Sequence, residues 1–365
     1  MKNSFGNNLT ITLFGESHGE AIGCVLDGVA PGIAVDEEYI ENEMQKRRAK
    51  GGISTPRKEA DMVEFLSGVK DGCTEGTPIL MLIRNENKRS SSYSNLENTP
   101  RPSHADYTAE VKYHGYQDKA GGGHFSGRLT APIVAAGALI RSALEKKGIV
   151  IGTHIKELHC ICDRPFENYA EDILKLNSLE FPTLSQSAGK AMTDEILAAA
   201  AKGDSVGGIL ECAVYGIPAG VGEPWFDTVE GMLAKAMLSI PAVKGVEFGL
   251  GFGFAKKFGS EANDAFTFAE DGRVATSTNN NGGVNGGITN GMPIVFSLAV
   301  KPTPSIFVEQ NSVNLKSGEE CKIKIEGRHD PAIIHRARAV VDAMCALTLA
   351  DLLVTRYGTD YLAKP

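Results

Sequence analysis

Histidine, arginine and glycine keep company in this chain, and that company implies proton transfer beside a bound anion. Gly15-Glu16-Ser17-His18-Gly19 opens the series. Next come Arg101-Pro102-Ser103-His104-Ala105-Asp106 and Gly121-Gly122-Gly123-His124-Phe125-Ser126-Gly127-Arg128. A third segment, 281–305, ends in Lys301-Pro302-Thr303-Pro304-Ser305, and a fourth reads Gly327-Arg328-His329-Asp330-Pro331. Arg47, Arg48 and Arg57 flank a Gly51-Gly52 turn. Arginine grips carboxylate or phosphate through two parallel hydrogen bonds. Histidine moves protons near neutral pH. Glycine lets backbone amides approach an anion. Several arginines with two or more histidines suit a substrate carrying several anionic groups.

Plainer readings stand beside these. One exposed arginine is ordinarily a solvated charge, and one histidine is more often structural than catalytic. Gly121-Gly122-Gly123 reads either as a flexible turn or, with Ser126 and a helix start behind it, as a phosphate cradle. Asp330 reads equally as a cap of the closing helix and as a catalytic carboxylate. His114 and His335 have no partner cluster and read as structural.

The elements that must position these residues show a repeat. From Gly15 to Gly32 the chain runs GESHGEAIGCVLDGVAPG, and from Gly203 to Gly220 it runs GDSVGGILECAVYGIPAG. Glycines and serine recur in register, but His18 is matched by Val206. The turn therefore forms without a histidine, so His18 serves chemistry and the glycines serve backbone shape. An amphipathic stretch follows each copy: 36–48, with Asp36 as N-cap, and 227–240. Strand-like runs then match, Val63-Glu64-Phe65 with Val246-Glu247-Phe248, and 78–83 with 293–298. Each half reads strand, strand, helix, strand, strand, and short Gly-rich turns favour antiparallel pairing. The expectation is one α+β domain over 1–365, duplicated over about 9–85 and 203–301, with an insertion near 163–187. Further helices are expected over 128–147, 190–202 and 335–357. The Gly/Asn segment 279–290 reads as an ordered loop.

Composition limits the classes. With 365 residues and 42% apolar content the chain can bury a sizeable core. A net charge of −8 argues against a nucleic-acid surface. No apolar run reaches the ~20 residues that span a bilayer, the N-terminal residues lack a signal core, and seven scattered cysteines suit a reducing, cytoplasmic setting. Gly15-x-Ser17-x-Gly19 matches a serine-hydrolase elbow, but a strand follows where that elbow needs a helix. Gly249-x-Gly251-x-Gly253 lacks the dinucleotide spacing. His154, His159, Cys160 and Cys162 have no second ligand pair for zinc. The remaining alternatives are an α/β serine hydrolase using Ser17 and an anion-binding regulatory module built on the arginines.

The clusters, in this order, resemble chorismate synthase. The match rests on Gly15 to Gly19, Arg101 to Tyr107, Gly121 to Arg128, Asp204-Ser205-Val206-Gly207-Gly208, Lys244-Gly245-Val246-Glu247 and Gly327 to Pro331, and covers nearly the whole chain. The resemblance implies a pseudo-symmetric β-α-β sandwich, mostly antiparallel, with helices packed between the sheets. It implies a homotetrameric lyase that converts 5-enolpyruvylshikimate-3-phosphate to chorismate and phosphate by anti-1,4-elimination, using reduced FMN without net redox change. This is the last common step of the shikimate pathway to the aromatic amino acids.

By the same resemblance His18 donates a proton toward the leaving phosphate, His104 protonates or orients the flavin, and Asp330 assists near the flavin N5. Arg47, Arg57, Arg101, Ser126, Arg128 and Arg328 hold the substrate's anionic groups. Flavin contacts map to His124, Phe125, Ser126, Pro241, Ala242, Gly286, Lys301, Pro302, Thr303, Pro304, Ser305 and Arg328. Some members also bind NADP near Arg47, with NADPH as reductant. Two departures stand out. Many members read Gly-Gly-Gly-Arg-Ser-Ser-Ala-Arg over residues 121–128, and Arg-Arg-Pro-Gly where this chain has Arg48-Ala49-Lys50-Gly51. The first alters flavin or substrate contacts, and the second weakens the NADP assignment.

Overall fold

A computed structural model describes residues 2–49, 51–54, 60–86, 98–325 and 329–364. Its first sheet contains β1 (Ser4–Phe5), β2 (Thr10–Gly15), β3 (Ala21–Asp27), β4 (Glu64–Ser67) and β5 (Ile79–Arg84). Helix α1 (Glu37–Arg47) lies between β3 and β4 in the chain, and α2 (Asp106–Tyr113) and α3 (Thr130–Glu145) follow β5. The second sheet is built from β6 (Val150–Leu158), β7 (Ile161–Cys162), β8 (Gly208–Tyr215), β9 (Val243–Phe248) and β10 (Ile294–Val300). Helices α4 (Tyr169–Ser178) and α5 (Gln186–Ala201) separate β7 from β8, α6 (Val229–Ser239) joins β8 to β9, and α7 (Ile334–Tyr357) closes the fold.

Strand order is β1-β2-β3-β5-β4 in one sheet and β9-β10-β8-β6-β7 in the other. All their pairings are antiparallel. Read from β2 and from β6, the two sheets share one order, and each unit ends in a long helix, α3 or α7. The strand standing where β2 stands is thus β6, which precedes the polar segment 163–187. The turn after β3 and the turn after β8 match at atomic level. Gly28 has φ +80° and Gly216 φ +88°, and an added Cβ would meet the Asn8 or the Gly148 carbonyl oxygen at 2.0 Å in each. Only glycine fits a left-handed backbone that tight.

The helices form the filling of the sandwich. β5 buries Ile79, Met81 and Ile83 at period two. α3 packs on β3 and β5, α7 packs on β6 and β8, and α3 lies along α7. Both helices are buried over nearly their whole length, so neither can be simply amphipathic. Their few charges are satisfied locally. Arg141, 1% exposed, donates to Glu43 at 3.0 Å and to the Ile151 carbonyl at 2.6 Å. Asp351 accepts the amides of Asn7, Asn8 and Leu9 at 2.7–2.9 Å, tying α7 to the entry of β2.

The helical expectations hold with shifted ends. Asp36 caps α1 by accepting from the Tyr39 amide at 2.9 Å. α5 starts at Gln186, four residues early, because Ser185 caps it. The segment 163–187 holds a helix, α4, capped by Asn168. In 279–290 the ordered feature is a small hairpin, Val284–Asn285 with Ile288–Thr289. No helix among the described residues is long and apolar enough to cross a membrane.

Candidate active site

The β2–β3 turn carries His18 to the edge of the sandwich, where segment 120–128 crosses it. The Ser17 amide donates to the Gly123 carbonyl at 3.1 Å, and His124 Nδ1 donates to the Gly15 carbonyl at 2.9 Å. The turn and the triple glycine are thereby clamped at both ends. Between the clamps the His18 ring rests on Gly121, where a Cβ would stand 2.1 Å from Cε1. The next glycine, Gly122, faces His104, with its Cβ position 3.5 Å from His104 Cε1. The two imidazoles therefore occupy neighbouring glycines of one strained segment, in which Gly121, Gly122 and Gly123 all have positive φ.

Arg101 and His104 are brought together by a tight turn. The His104 amide donates to the Arg101 carbonyl at 3.2 Å, and Ser103 sits at φ +58°. Lys301 donates to the Ser103 carbonyl, and Arg101 Nη1 reaches Ser305 Oγ at 3.5 Å. The 301–305 segment, which leaves the second sheet, thus lies against a motif carried by the loop after the first. Burial and the neighbouring Lys244 push the Lys301 ammonium below its ordinary range. A cavity of about 550 Å³ opens here, lined by Arg101, His104, Gly122, Phe125 and Lys119 among others, a volume that suits a small-molecule site.

The arginines form a buried base. Arg47, 6% exposed, donates to Asp61 at 3.0 Å, to Thr130 at 2.8 Å and to the carbonyls of Gly127 and Arg128. Arg128 donates to Asp61 as well, and to Asn85 Oδ1 at 3.0 Å. Asn85 in turn donates to the carbonyls of Glu16 and Gly19 on either side of His18. Burial opposes ionisation of Asp61, but Arg47 and Arg128 outweigh it and hold its carboxyl below the ordinary range. On the far side, Arg336 donates to the Arg47 carbonyl at 2.7 Å and to Asp330 at 2.8 Å. Hydrogen bonds therefore run without a break from the His18 turn to Asp330.

The expected cap role of Asp330 fails. α7 begins after Ile333 with no side-chain cap, and Asp330 pairs with Arg336 instead. The Val206 amide donates to the Pro331 carbonyl at 2.9 Å, so the second copy of the turn holds the Asp330 segment. Ser126 caps the short turn before α3 by accepting from the Arg128 amide at 3.3 Å. Phe125 meets Tyr113 edge-on with ring centroids 5.9 Å apart. Ala242, φ +74°, accepts from the Lys301 amide at 3.0 Å, which places Pro241 and Ala242 beside 301–305. Thr303 binds Ser205 Oγ through its carbonyl at 2.8 Å. Gly286 is set apart. It lies on the hairpin whose Gly287 carbonyl accepts from Val229 at the start of α6, whereas Ala242 follows the end of that helix. Eleven helical residues, roughly 16 Å, separate them. Arg57 and Arg328 lie outside the described residues.

Asp61, Asn85 and Arg336 carry no motif and were missed. Asp106 stood inside a quoted motif without a role. The hydrolase alternative meets a contrary geometry: Ser17 is 1% exposed, lies between two strands, and its Oγ has no hydrogen-bond partner among the described residues. A nucleophile needs a base within reach. The four residues weighed for zinc do not assemble, and among the described residues no cluster suited to a metal occurs.

A pseudo-symmetric α+β sandwich with two imidazoles on neighbouring glycines, and buried arginines bonded to the turn that holds one of them, defines an enzyme of small-molecule chemistry. The sequence model of the chorismate synthase family matches residues 9–354, and the chain belongs to that family. It is an enzyme of the carbon–oxygen lyase class that serves aromatic amino-acid biosynthesis. The chorismate synthase of Pyrococcus abyssi is 47% identical over 96% of this chain and 97% of its own length. That of Lachnoclostridium phytofermentans is 46% identical over 99% of this chain and 98% of its own. A solved crystal structure of chorismate synthase superposes with a TM-score of 0.75 at 30% identity, covering 97% of this chain and 94% of the other.

Proposed function

We propose that this chain converts 5-enolpyruvylshikimate-3-phosphate to chorismate and phosphate by anti-1,4-elimination, with reduced FMN as a cofactor that undergoes no net oxidation. One observation carries the reading: His18 and His104 stand on adjacent glycines, the turn that holds His18 is joined by continuous hydrogen bonds to Arg128, Arg47 and Asp330, and His104 pairs with Asp106 beside Arg101. A site that must bind carboxylates and phosphate while moving protons needs this combination.

The residues present fit a planar, polar cofactor beside the substrate. The buried Ser17 hydroxyl lacks a protein partner among the described residues, and the 550 Å³ cavity reaches His104, Gly122 and Phe125. His124, Phe125, Ser126, Pro241, Ala242, Lys301 and the residues to Ser305 would hold the flavin, with Arg328 and Gly286. When bound, reduced flavin supplies electron density that eases loss of an allylic phosphate. The chain does the rest. His18 delivers a proton to the departing phosphate, which spares the cost of releasing a more highly charged anion. His104, whose ring faces Gly122, would orient the flavin or pass it a proton. Asp330, kept in place by Arg336, would assist near the flavin N5 as the ring hydrogen is lost. Arg101, Arg128 and Ser126 orient the anionic groups, with Arg57 and Arg328.

Arg47 spends its donors on Asp61, Thr130 and two carbonyls. It reads as the support of that base and a poor NADP ligand, so we favour a separate source of reduced flavin. The chain is read as one duplicated domain, supported by the shared strand order, acting as a cytoplasmic homotetramer. The deciding assay is anaerobic, with dithionite-reduced FMN and enolpyruvylshikimate phosphate, following chorismate absorbance and phosphate release together. Tight binding of both ligands with no turnover would sink the proposal and favour an anion-binding module.

A further inference from the structure

His104 has a neighbour to which no role has been given. Its Nδ1 lies 2.6 Å from Asp106 Oδ1 and 3.0 Å from Arg101 Nη2. Both contacts cannot be hydrogen bonds to the same neutral nitrogen. If Nδ1 accepted from Arg101, its lone pair would face a carboxylate oxygen at hydrogen-bond distance, which is repulsive. Arg101 does not need Nδ1, because its Nη2 and Nε each have an Asp106 oxygen at 2.8 Å. Nδ1 therefore carries the proton and donates to Asp106, and the lone pair falls on Nε2.

The other end of the ring is directed by the same turn. Nε2 stands 3.7 Å from the Cβ position of Gly122, on the wall of the cavity. Asp106 is held as firmly as what it holds. The Arg101 amide also donates to it at 3.0 Å, so three donors of one arginine and one imidazole converge on this carboxylate. Burial opposes its ionisation, but the hydrogen bonds from Arg101 and His104 outweigh it, and the carboxyl lies well below its ordinary range.

We propose that Asp106 is a positioning residue, which fixes His104 as its Nδ1–H tautomer and aims Nε2 past Gly122 at the bound ligands. The pairing rests on the present geometry alone, and only what Nε2 acts upon rests on the function proposed above. It also reassigns most of Arg101. Two side-chain donors hold Asp106, which leaves Nη1, near Ser305 Oγ, as the part directed toward the 301–305 segment.

The test has two arms. In the ligand-free full chain labelled with ¹⁵N-histidine, long-range ¹H–¹⁵N spectra report the tautomer of each ring, and His104→Gln assigns the signal. The wild type should show a protonated Nδ1 and an unprotonated Nε2. Asp106→Ala should lose that single tautomer, and Asp106→Glu, which keeps a carboxylate, should recover part of it. A protonated Nε2 in the neutral wild-type ring overturns the inference, even if Asp106→Ala fails to fold. In the kinetic arm, Asp106→Ala should lower kcat on the order of 10-fold or more, with little change in KM. The same change made in His104→Ala should cost nothing further. An equal loss in both backgrounds means that Asp106 acts elsewhere and overturns the inference. Should His104→Ala keep full activity while the tautomer behaves as described, the proposed function of His104 fails and the pairing stands.

Discussion

The Cε1–Nδ1 edge of the His18 imidazole lies against Gly121, so close that a methyl group there would stand 2.1 Å from Cε1 and 2.3 Å from Nδ1. Gly121→Ala must therefore push the ring out of the site. The φ of +60° adds backbone strain for any other residue. A displacement of about 1 Å costs roughly 10²-fold in rate, so kcat should fall by about that factor. The sandwich core is untouched, so the thermal midpoint should shift by only a few degrees. A variant with normal kcat would show that His18 does not act from this position.

His18→Val copies what the second unit already does at Val206, whose turn forms without an imidazole. Folding should survive with a near-normal thermal midpoint, while turnover drops by about 10²- to 10⁴-fold, the range for losing a general acid. Circular dichroism melts and steady-state kinetics on the same preparation check both halves. A collapsed melting transition would make His18 structural.

Asp61 is the counter-charge for Arg47 and Arg128, all three of them buried. Asp61→Asn leaves two cations against one neutral amide and should cost about 3–5 kcal/mol, the usual result of breaking a buried pair. Its folded carboxyl titrates below the ordinary value of 3.8. The stabilisation from Asp61 is thus complete above that unfolded value and disappears as pH falls through the lower folded one. The gap between urea melts of wild type and variant should narrow as pH falls below the ordinary value of 3.8. A gap that widens in acid would contradict the pairing.

The second sheet holds a pH-sensitive contact of opposite sign. His154 is fully buried, with Nδ1 2.9 Å from Asp163 and Nε2 3.2 Å from Glu211. Burial works against its charge, but the two carboxylates outweigh it and raise its pKa above 6.5, while Glu211 is pulled down to about 2. Stability from this imidazolium is complete below the unfolded value near 6.5 and is lost as pH rises through the higher folded value. Between pH 6.5 and 9 the thermal midpoint of wild type should fall more steeply than that of His154→Gln. Asp163 also accepts the Leu184 and Ser185 amides at 2.6 and 2.8 Å, so the start of α5 should loosen first, visible as faster amide exchange there.

Much of the fold was legible because matched sequence segments mark strands at corresponding places in both sheets. Asp36 announced α1, and the alternation of Ile79, Met81 and Ile83 announced β5. The match of β6 to β2 is not legible in the sequence, because no glycine signature precedes β6 in register and the polar segment 163–187 separates it from β8. The histidines proposed to act in catalysis were legible from company and from contrast, His18 against Val206 above all. Asp61, Asn85 and Arg336 were not. A single polar residue has no period and no motif, and its partner lies 14 to 289 positions away. The cap reading of Asp330 gives way to a nearby side chain: Arg336, in the first turn of α7, takes its carboxylate in place of the helix amides.

Sequence by itself determined the alphabet of the site: which imidazoles, guanidiniums and glycines exist, and which turn can be made without a histidine. These are local matters of backbone sterics and side-chain chemistry. Tertiary structure alone decided which nitrogen faces which carboxylate, that His18 and His104 share neighbouring glycines, and that Arg47 is spent inside the protein. Those outcomes depend on where two sheets and the crossing of α3 with α7 place segments far apart in the chain, and burial then compels every charge caught there to find a partner.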